Sequence, residues 1–392
     1  MAGPGDATKQ LLVAARMTLD KLTKSIDPAE TEPDSGAFAA QCAALLAQTP
    51  PGLIAGHSLH HIPCDAAPWV DTGIDLEPGT EVTTLAVGRT WLAPPLDIWV
   101  GAHFQLWMRI GTAGPVFRGT RRSHSFSGGA GGRLYLASYF PSEWADPSGS
   151  IASDPGVYSS VQGTLTVLVI RWAGDAATGV QALAGKGDVD GLLAGEAERL
   201  QANPAPPSDW SYLWFLGPAE IYRREARAGE SSRLVCRTHR DVGILQRDVS
   251  VALTPETRLR WRWKIDALPS ALREDTIPSH DYLSIALAFD NGQDLTWYWS
   301  VSLPPGMSYR CPLPTWQHRE THWVVRSGLD GLGQWFSEDR PVHADYAAAI
   351  GMPPARITQV WLIANSLFQR RLGQCEYADI VISGPDGEVA VG

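Results

Sequence analysis

The chain has 392 residues, of which 19% are charged and 44% hydrophobic, and a net charge of −10. That length holds two ordinary cores and the composition is globular, while the acidic balance argues against a nucleic-acid backbone as the main partner. No run of about 18 apolar residues spans a membrane, and Met1 to Asp6 lack the basic start and apolar run of a secretory signal, so the expected location is the cytoplasm, with no membrane partner.

Residues 9–24 read as an amphipathic helix, with Leu11, Leu12, Ala15, Leu19 and Leu22 near a 3.6-residue period. An alanine-rich helix follows over 37–48 and is stopped by Pro50 and Pro51. The pattern then changes to short strands at Val82–Val87, Phe104–Ile110, Leu134–Ser138 and Leu165–Trp172, separated by Gly or Pro turns. Such spacing predicts a small β-sandwich. Residues 188–202 predict a short helix, and Asn203 to Pro207 a stiff linker.

Strands return at Leu234–Thr238, Arg258–Leu268, Tyr282–Phe289, Thr296–Leu303, Trp323–Val325, Val360–Ile363 and Tyr377–Ile382, with a short helix over 344–350. The clearest is Arg258–Leu268. Leu259, Trp261, Trp263, Ile265 and Ala267 fall on one side of a two-residue period, and Arg258, Arg260, Arg262, Lys264 and Asp266 on the other. This is the pattern of an antiparallel strand with one buried face. The expected fold is mainly β: two jelly-roll-like β-sandwiches preceded by a short helical segment. The boundaries are 1–62 for that segment, 63–175 for the first sandwich, 176–208 for helix and linker, and 209–392 for the second sandwich.

Two family resemblances fit these halves. Residues 65–173 resemble the small bacterial galactose-binding lectin fold typified by the PA-I lectin. The matching elements are Asp71–Ile74, Gly79–Thr83, Arg109–Gly114, Gly132–Leu136 and Asp154–Tyr158. The resemblance implies a calcium-dependent sugar site built from hard oxygen ligands. Here Asp154 or Asp146 could supply the aspartate, but Ser159, Ser160 and Val161 stand where amide oxygens are needed, so no calcium is expected. Residues 210–383 resemble an uncharacterised bacterial family, a domain of unknown function with a predicted jelly-roll sandwich. This likeness rests on Trp261–Ile265, His280–Tyr282, Trp297–Trp299, Gly333–Trp335, Glu338–Val342, Asp345-Tyr346 and Tyr377–Ile380. It implies no activity.

Candidate chemistry is sparse. The five cysteines, at 42, 64, 236, 311 and 375, form no C-x-x-C pair, which argues against a disulfide framework and a cysteine zinc site. His57, His60 and His61 read as a loop. His318 and His322 lead into a strand, where they lie about 13 Å apart, so no metal or other cofactor is expected. The glycine run 128–132 precedes a strand rather than a helix and reads as a hairpin turn, not a nucleotide loop.

Asp281, His280 and Glu274 gather around one loop and strand start. They are the candidates for acid–base chemistry at a cleft mouth, with an ordinary acidic turn as the alternative. Asp379, in the last long strand, is either paired with an arginine or part of a structural calcium site. Among sixteen tryptophans, Trp297, Trp299, Trp316 and Trp335, with Tyr298, are candidates for an aromatic ligand groove, against the alternative that they fill the core. The functional expectation is a protein that binds carbohydrate or another small organic ligand. A metal-independent hydrolase or lyase, an assembly module and a homo-oligomer stay open.

Overall fold

The computed structural model describes residues 4–23, 32–66, 68–138, 144–152, 155–226 and 232–392. The chain divides into two compact units, one of residues 23–205 and the other of 206–392 together with the segment up to residue 22. Helix α1, Pro4–Thr23, thus clusters with the C-terminal unit, where Lys9 lies 3.6 Å from Asp275. Among the side chains described in α1, the expected apolar stripe is not buried: Leu11, Leu12 and Leu19 are exposed, while Val13 is buried. The helical segment expected over 1–62 is therefore divided. Helix α2, Ser35–Ala47, belongs to the other unit, and residues from Ile54 onward are already strand. Asp34 caps α2 by accepting from the backbone N–H groups of Gly36 and Ala37.

In the unit of residues 23–205 the strands are β1 Ile54–Pro63, β2 Val70–Leu76, β3 Glu81–Ala93, β4 Ile98–Gly101, β5 Leu106–Ile110, β6 Ser123–Ser127, β7 Gly132–Ser138 and β8 Gln162–Trp172. Helix α3, Ala102–Gln105, lies between β4 and β5, and α4, Ala176–Ala184, and α5, Leu192–Ala202, follow β8. One sheet runs β1-β8-β3-β4 with β6 also on β3, and the second runs β2-β7-β5. Strand β8 shows why its sequence is apolar without a break from Val167 to Ile170. Leu165, Val167 and Val169 enter the core between the sheets, while Leu168, Ile170 and Trp172 enter a second core with α2, α4 and α5. Residues 57–61, expected as loop, form β1, whose half-exposed alternation with histidines hid it. The glycine run 128–132 leads from β6 of one sheet to β7 of the other, so it is an inter-sheet connection and not a hairpin.

In the C-terminal unit the strands are β9 Ser211–Tyr212, β10 Tyr222–Glu225, β11 Arg233–His239, β12 Val242–Ala252, β13 Arg258–Ala267, β14 Tyr282–Phe289, β15 Asp294–Ser300, β16 Ser308–Arg310, β17 Glu320–Ser327, β18 Trp335–Pro341, β19 Arg356–Asn365, β20 Leu372–Gly384 and β21 Gly387–Ala390. Helix α6, Val342–Ala349, precedes β19. A seven-stranded sheet runs β16-β17-β15-β14-β19-β12-β9. A six-stranded sheet runs β10-β11-β20-β13-β18 with β21 on β20. All pairings are antiparallel except β15 with β17.

The two sheets enclose one core. From β13 come Leu259, Trp261, Trp263 and Ile265, from β14 Leu283, Ile285 and Leu287, and from β15 Trp297 and Trp299. Trp261 meets Trp297 at 6.5 Å and Trp263 meets Trp299 at 6.1 Å between ring centroids, spacings at which tilted aromatic pairs attract. The alternation read from β13 is the one the fold uses. The sequence-based expectation of a mainly β chain with two sandwiches and a helical N-terminus holds.

Candidate functional site

The C-terminal sandwich has two outer faces, built by the same alternation and finished in opposite ways. On the six-stranded sheet, β13 turns Arg258, Arg260, Arg262 and Lys264 away from the core. Their cross-strand neighbours share that face, as Lys264 does with Trp335 of β18 and Glu376 of β20. Arg258 pairs with Asp339 at 2.6 Å, Lys264 with Glu376 at 2.7 Å, Arg233 with Glu376 at 2.7 Å, and Arg260 with Glu388. The hydrogen bond to Glu376 outweighs partial burial and raises the Lys264 pKa.

Asp379 has a left-handed backbone, φ 52°, where β20 gains a residue against β13. An aspartate tolerates that conformation, and here it meets Arg262 at 3.1 Å. The arginine alternative for Asp379 is the one observed. Arg262 also lies over the half-buried ring of Trp335, 5.1 Å from its centroid. The exposed pairs Arg258–Asp339, Arg260–Glu388 and Arg262–Asp379 are worth about 0–1 kcal/mol each, whereas Arg233 and Glu376 are buried, so the face is anchored at Glu376 and looser around Arg262.

On the seven-stranded sheet, the face turned from the inter-sheet core carries Tyr282, Ser284, Asp294, Thr296, Tyr298, Ser300, Glu320 and His322, all buried. Leu213, Leu303, Cys311 and Trp316, from segments outside the sheet's central strands, pack onto it. Four groups converge there. The ligating atoms of His280, Cys311, Glu320 and His322 lie within 4.8 Å of one another. Cys311 Sγ is 3.3 Å from His280 Nε2, and His322 Nε2 is 3.4 Å from Glu320 Oε1. Tyr282 and Thr296 donate their hydroxyls to Glu320 Oε1 at 2.9 and 3.3 Å. His280 Nδ1 lies 2.6 Å from the Glu274 carbonyl.

Because a carbonyl only accepts, Nδ1 carries the proton and Nε2 presents a lone pair to Cys311. Burial, then the neighbouring His322, pushes the His280 pKa down to about 3. Burial opposes ionisation of Glu320, but His322, His280 and the hydrogen bonds around it prevail and hold it at about 2. Burial and the Glu320 charge push the Cys311 thiol well above its ordinary range.

The candidate acids do not stand at a cleft mouth. Asp281 is fully buried and accepts from the backbone N–H of Phe368 at 3.0 Å and of Gln369 at 2.6 Å, which fastens the turn after β19. Glu274 accepts from the N–H of Val301 at 2.7 Å and from the Ser300 hydroxyl. Burial is the largest influence on both and raises each to about 7. The fold brings Glu274, His280 and Asp281 into one region, yet both carboxylates are committed to holding backbone.

Four of the five candidate groove aromatics are buried as well. Trp297 and Trp299 are fully buried in the inter-sheet core, with indole N–H groups donated to Asp345 and to the Gly328 carbonyl at 3.0 and 2.9 Å. Tyr298 is buried against Tyr309, their hydroxyls 2.8 Å apart, and Trp316 is buried edge-on to Trp361. Of the five candidates, Trp335 alone keeps partial exposure.

In the first sandwich, Asp146 accepts from the backbone N–H of Ser148 at 2.8 Å and its hydroxyl at 2.6 Å. With Ser150, these bonds hold its pKa down at about 2 and commit it to a turn. Asp154 lies outside the described residues. No helix among the described residues is long and apolar enough to cross a membrane.

Fold and site together define a protein of two β-sandwiches, each built of strands that alternate between a core and a second face. Within it, residues 208–381 match the family described as "Protein of unknown function (DUF3047)", as the resemblance of the C-terminal half implied. No curated protein matches the chain. Among solved structures, the chain is similar to the EclA N-terminal domain, a PllA-like lectin, at 18% identity, covering 31% of this chain and 99% of that one with a TM-score of 0.24. It is also similar to the xyloglucanase domain of NopAA, a type three effector from Sinorhizobium fredii, solved with cellobiose. That likeness has 6% identity and covers 44% and 93% of the two chains with a TM-score of 0.29. A third is the CBM22-1–CBM22-2 tandem domain of Paenibacillus barcinonensis Xyn10C, at 8% identity, 86% and 92% coverage and a TM-score of 0.21. Likenesses this distant transfer no ligand and no activity.

Proposed function

We propose that this protein binds carbohydrate, and that the C-terminal sandwich takes the glycan on the open face of its six-stranded sheet, at Trp335. The observation that carries the reading is the position of that ring. Trp335 is partly exposed, opposite Lys264 in register, on a face of paired charges. A sugar ring offers an apolar C–H surface to an aromatic plane and hydroxyls at its rim to charged donors and acceptors. Stacking on Trp335 would replace its contact with the Arg262 guanidinium, worth only about 0.5–1 kcal/mol at an exposed site. The displaced Arg262 and its partner Asp379 then become hydroxyl partners. Because these side chains are already ordered by ion pairs, binding costs less side-chain entropy than on a loose surface.

The test is calorimetric titration of the full chain against a panel of neutral oligosaccharides, beside Trp335→Ala. Binding by the wild type, weakened at least about tenfold by the substitution with an unchanged fold, is the expected result; about 1.4 kcal/mol of lost stacking gives that factor. Equal binding by the two proteins contradicts the site.

A further inference from the structure

We propose that His280, Cys311, Glu320 and His322 form a structural site for a divalent transition metal of the zinc class, on the closed face of the seven-stranded sheet. This goes beyond glycan binding and does not rest on it. The donor set is two imidazoles, one thiol and one carboxylate, which suits zinc and its borderline neighbours rather than calcium or magnesium. Zinc bonds of about 2.0–2.3 Å in a tetrahedron set neighbouring ligand atoms roughly 3.3–3.7 Å apart. Two edges already fall there, Cys311 to His280 at 3.3 Å and His322 to Glu320 at 3.4 Å, and all four atoms lie within 4.8 Å.

The surroundings are those of a ligand sphere. His280 is fixed by its Nδ1–H on the Glu274 carbonyl, with Nε2 free to ligate, and Glu320 is fixed by Tyr282 and Thr296. Partners of this kind orient metal ligands and set the histidine tautomer. His322 supplies an independent sign. It is fully buried, its Nδ1 has no hydrogen-bond partner and its Nε2 has only the 3.4 Å contact with Glu320 Oε1, an expensive arrangement unless something occupies the cluster. Two neutral imidazoles, a thiolate and a carboxylate carry two negative charges, so a divalent ion makes the buried site neutral. The proton lost from Cys311 on binding goes to solvent.

All four donors come from protein and all are buried, as in a closed structural site rather than a catalytic one. Its effect is mechanical. Cys311, in the segment between β16 and β17, is tied to the sheet strand β17 and to His280, two residues before β14.

The experiment uses the full chain expressed in zinc-supplemented medium, assayed for bound metal, then stripped with a chelator and titrated with Co2+ and Zn2+. Tetrahedral cobalt gives visible absorption and a thiolate-to-metal band. The expected result is one ion per chain as purified, cobalt absorption that saturates at one equivalent and is displaced by Zn2+, and a melting temperature that rises when metal is returned. Cys311→Ser should lose the thiolate band, and His322→Phe, which keeps a ring in the buried volume, should lose uptake. Cys236→Ser, in the other sheet, should keep both. A wild type that carries no metal as purified and takes up no Co2+ overturns the proposal whatever the variants do. So does a thiolate band that survives in Cys311→Ser.

Discussion

The two outer faces of the C-terminal sandwich begin from the same strand alternation and end as opposites. On the six-stranded sheet the arginines of β13 stay in water and find partners, as in Arg258–Asp339 at 2.6 Å and Arg262–Asp379 at 3.1 Å. On the seven-stranded sheet, Leu303, Cys311 and Trp316 cover the polar face, and Glu320, His322 and Asp294 are lost to solvent. Water makes the first set cheap to rearrange, and its removal makes each group of the second costly to leave unmatched. The open face is therefore suited to a ligand that comes and goes, and the closed face to something bound once.

The comparison breaks most easily in the core that both faces share. Trp263→Ala should cost about 3–5 kcal/mol in urea unfolding, because a fully buried indole leaves a cavity between Trp261, Trp299 and Tyr377. Arg262→Ala, one residue away on the open face, should cost no more than about 1 kcal/mol. Equal losses would remove the assigned register.

A pH series sharpens the closed side. Glu274 has a folded pKa of about 7 against an ordinary 4.5, so between those values the native state holds a proton that the unfolded chain has lost. Its contribution to stability is full below about pH 4.5 and is lost as pH rises towards 7. The stability of the wild type minus that of Glu274→Gln should therefore fall by about 3 kcal/mol over that interval. Parallel curves would mean that the carboxyl is not buried as described.

Asp281→Asn should cost about 1–3 kcal/mol, since one of the backbone N–H groups of Phe368 and Gln369 loses its carboxylate acceptor. Hydrogen exchange should quicken at 366–370. The smallest effect is expected at Arg258→Ala, about 0–1 kcal/mol and weaker still at high salt.

The legible parts of the sequence were those where one face is wet. Strand β13 could be read residue by residue because apolar and charged groups alternate without exception from Arg258 to Asp266. Strand β12 was missed because Gln246, Arg247 and Asp248 interrupt its apolar run, and β1 because its histidines look like loop. Periodicity placed Trp297 and Trp299 on one face of β15, but nothing in the spacing told that the second sheet covers it. The cluster on the closed face was half visible, since Glu320 and His322 are two apart in a strand and share a side. Their partners, His280 and Cys311, come from separate loops that only the tertiary fold brings near, so sequence distance carried no sign of them. The acids at 274–281 were found as a group, and their work of holding Val301, Phe368 and Gln369 was invisible for the same reason.

The claim that the open face takes the ligand is tested most directly by fluorine NMR of the 5-fluorotryptophan-labelled full chain, titrated with an oligosaccharide that binds. The resonance lost in Trp335→Phe identifies Trp335. That resonance should shift in proportion to occupancy while those of the buried Trp263, Trp297 and Trp299 stay in place. A ligand that saturates the protein and moves other tryptophan resonances, leaving that of Trp335 unmoved, would contradict the account.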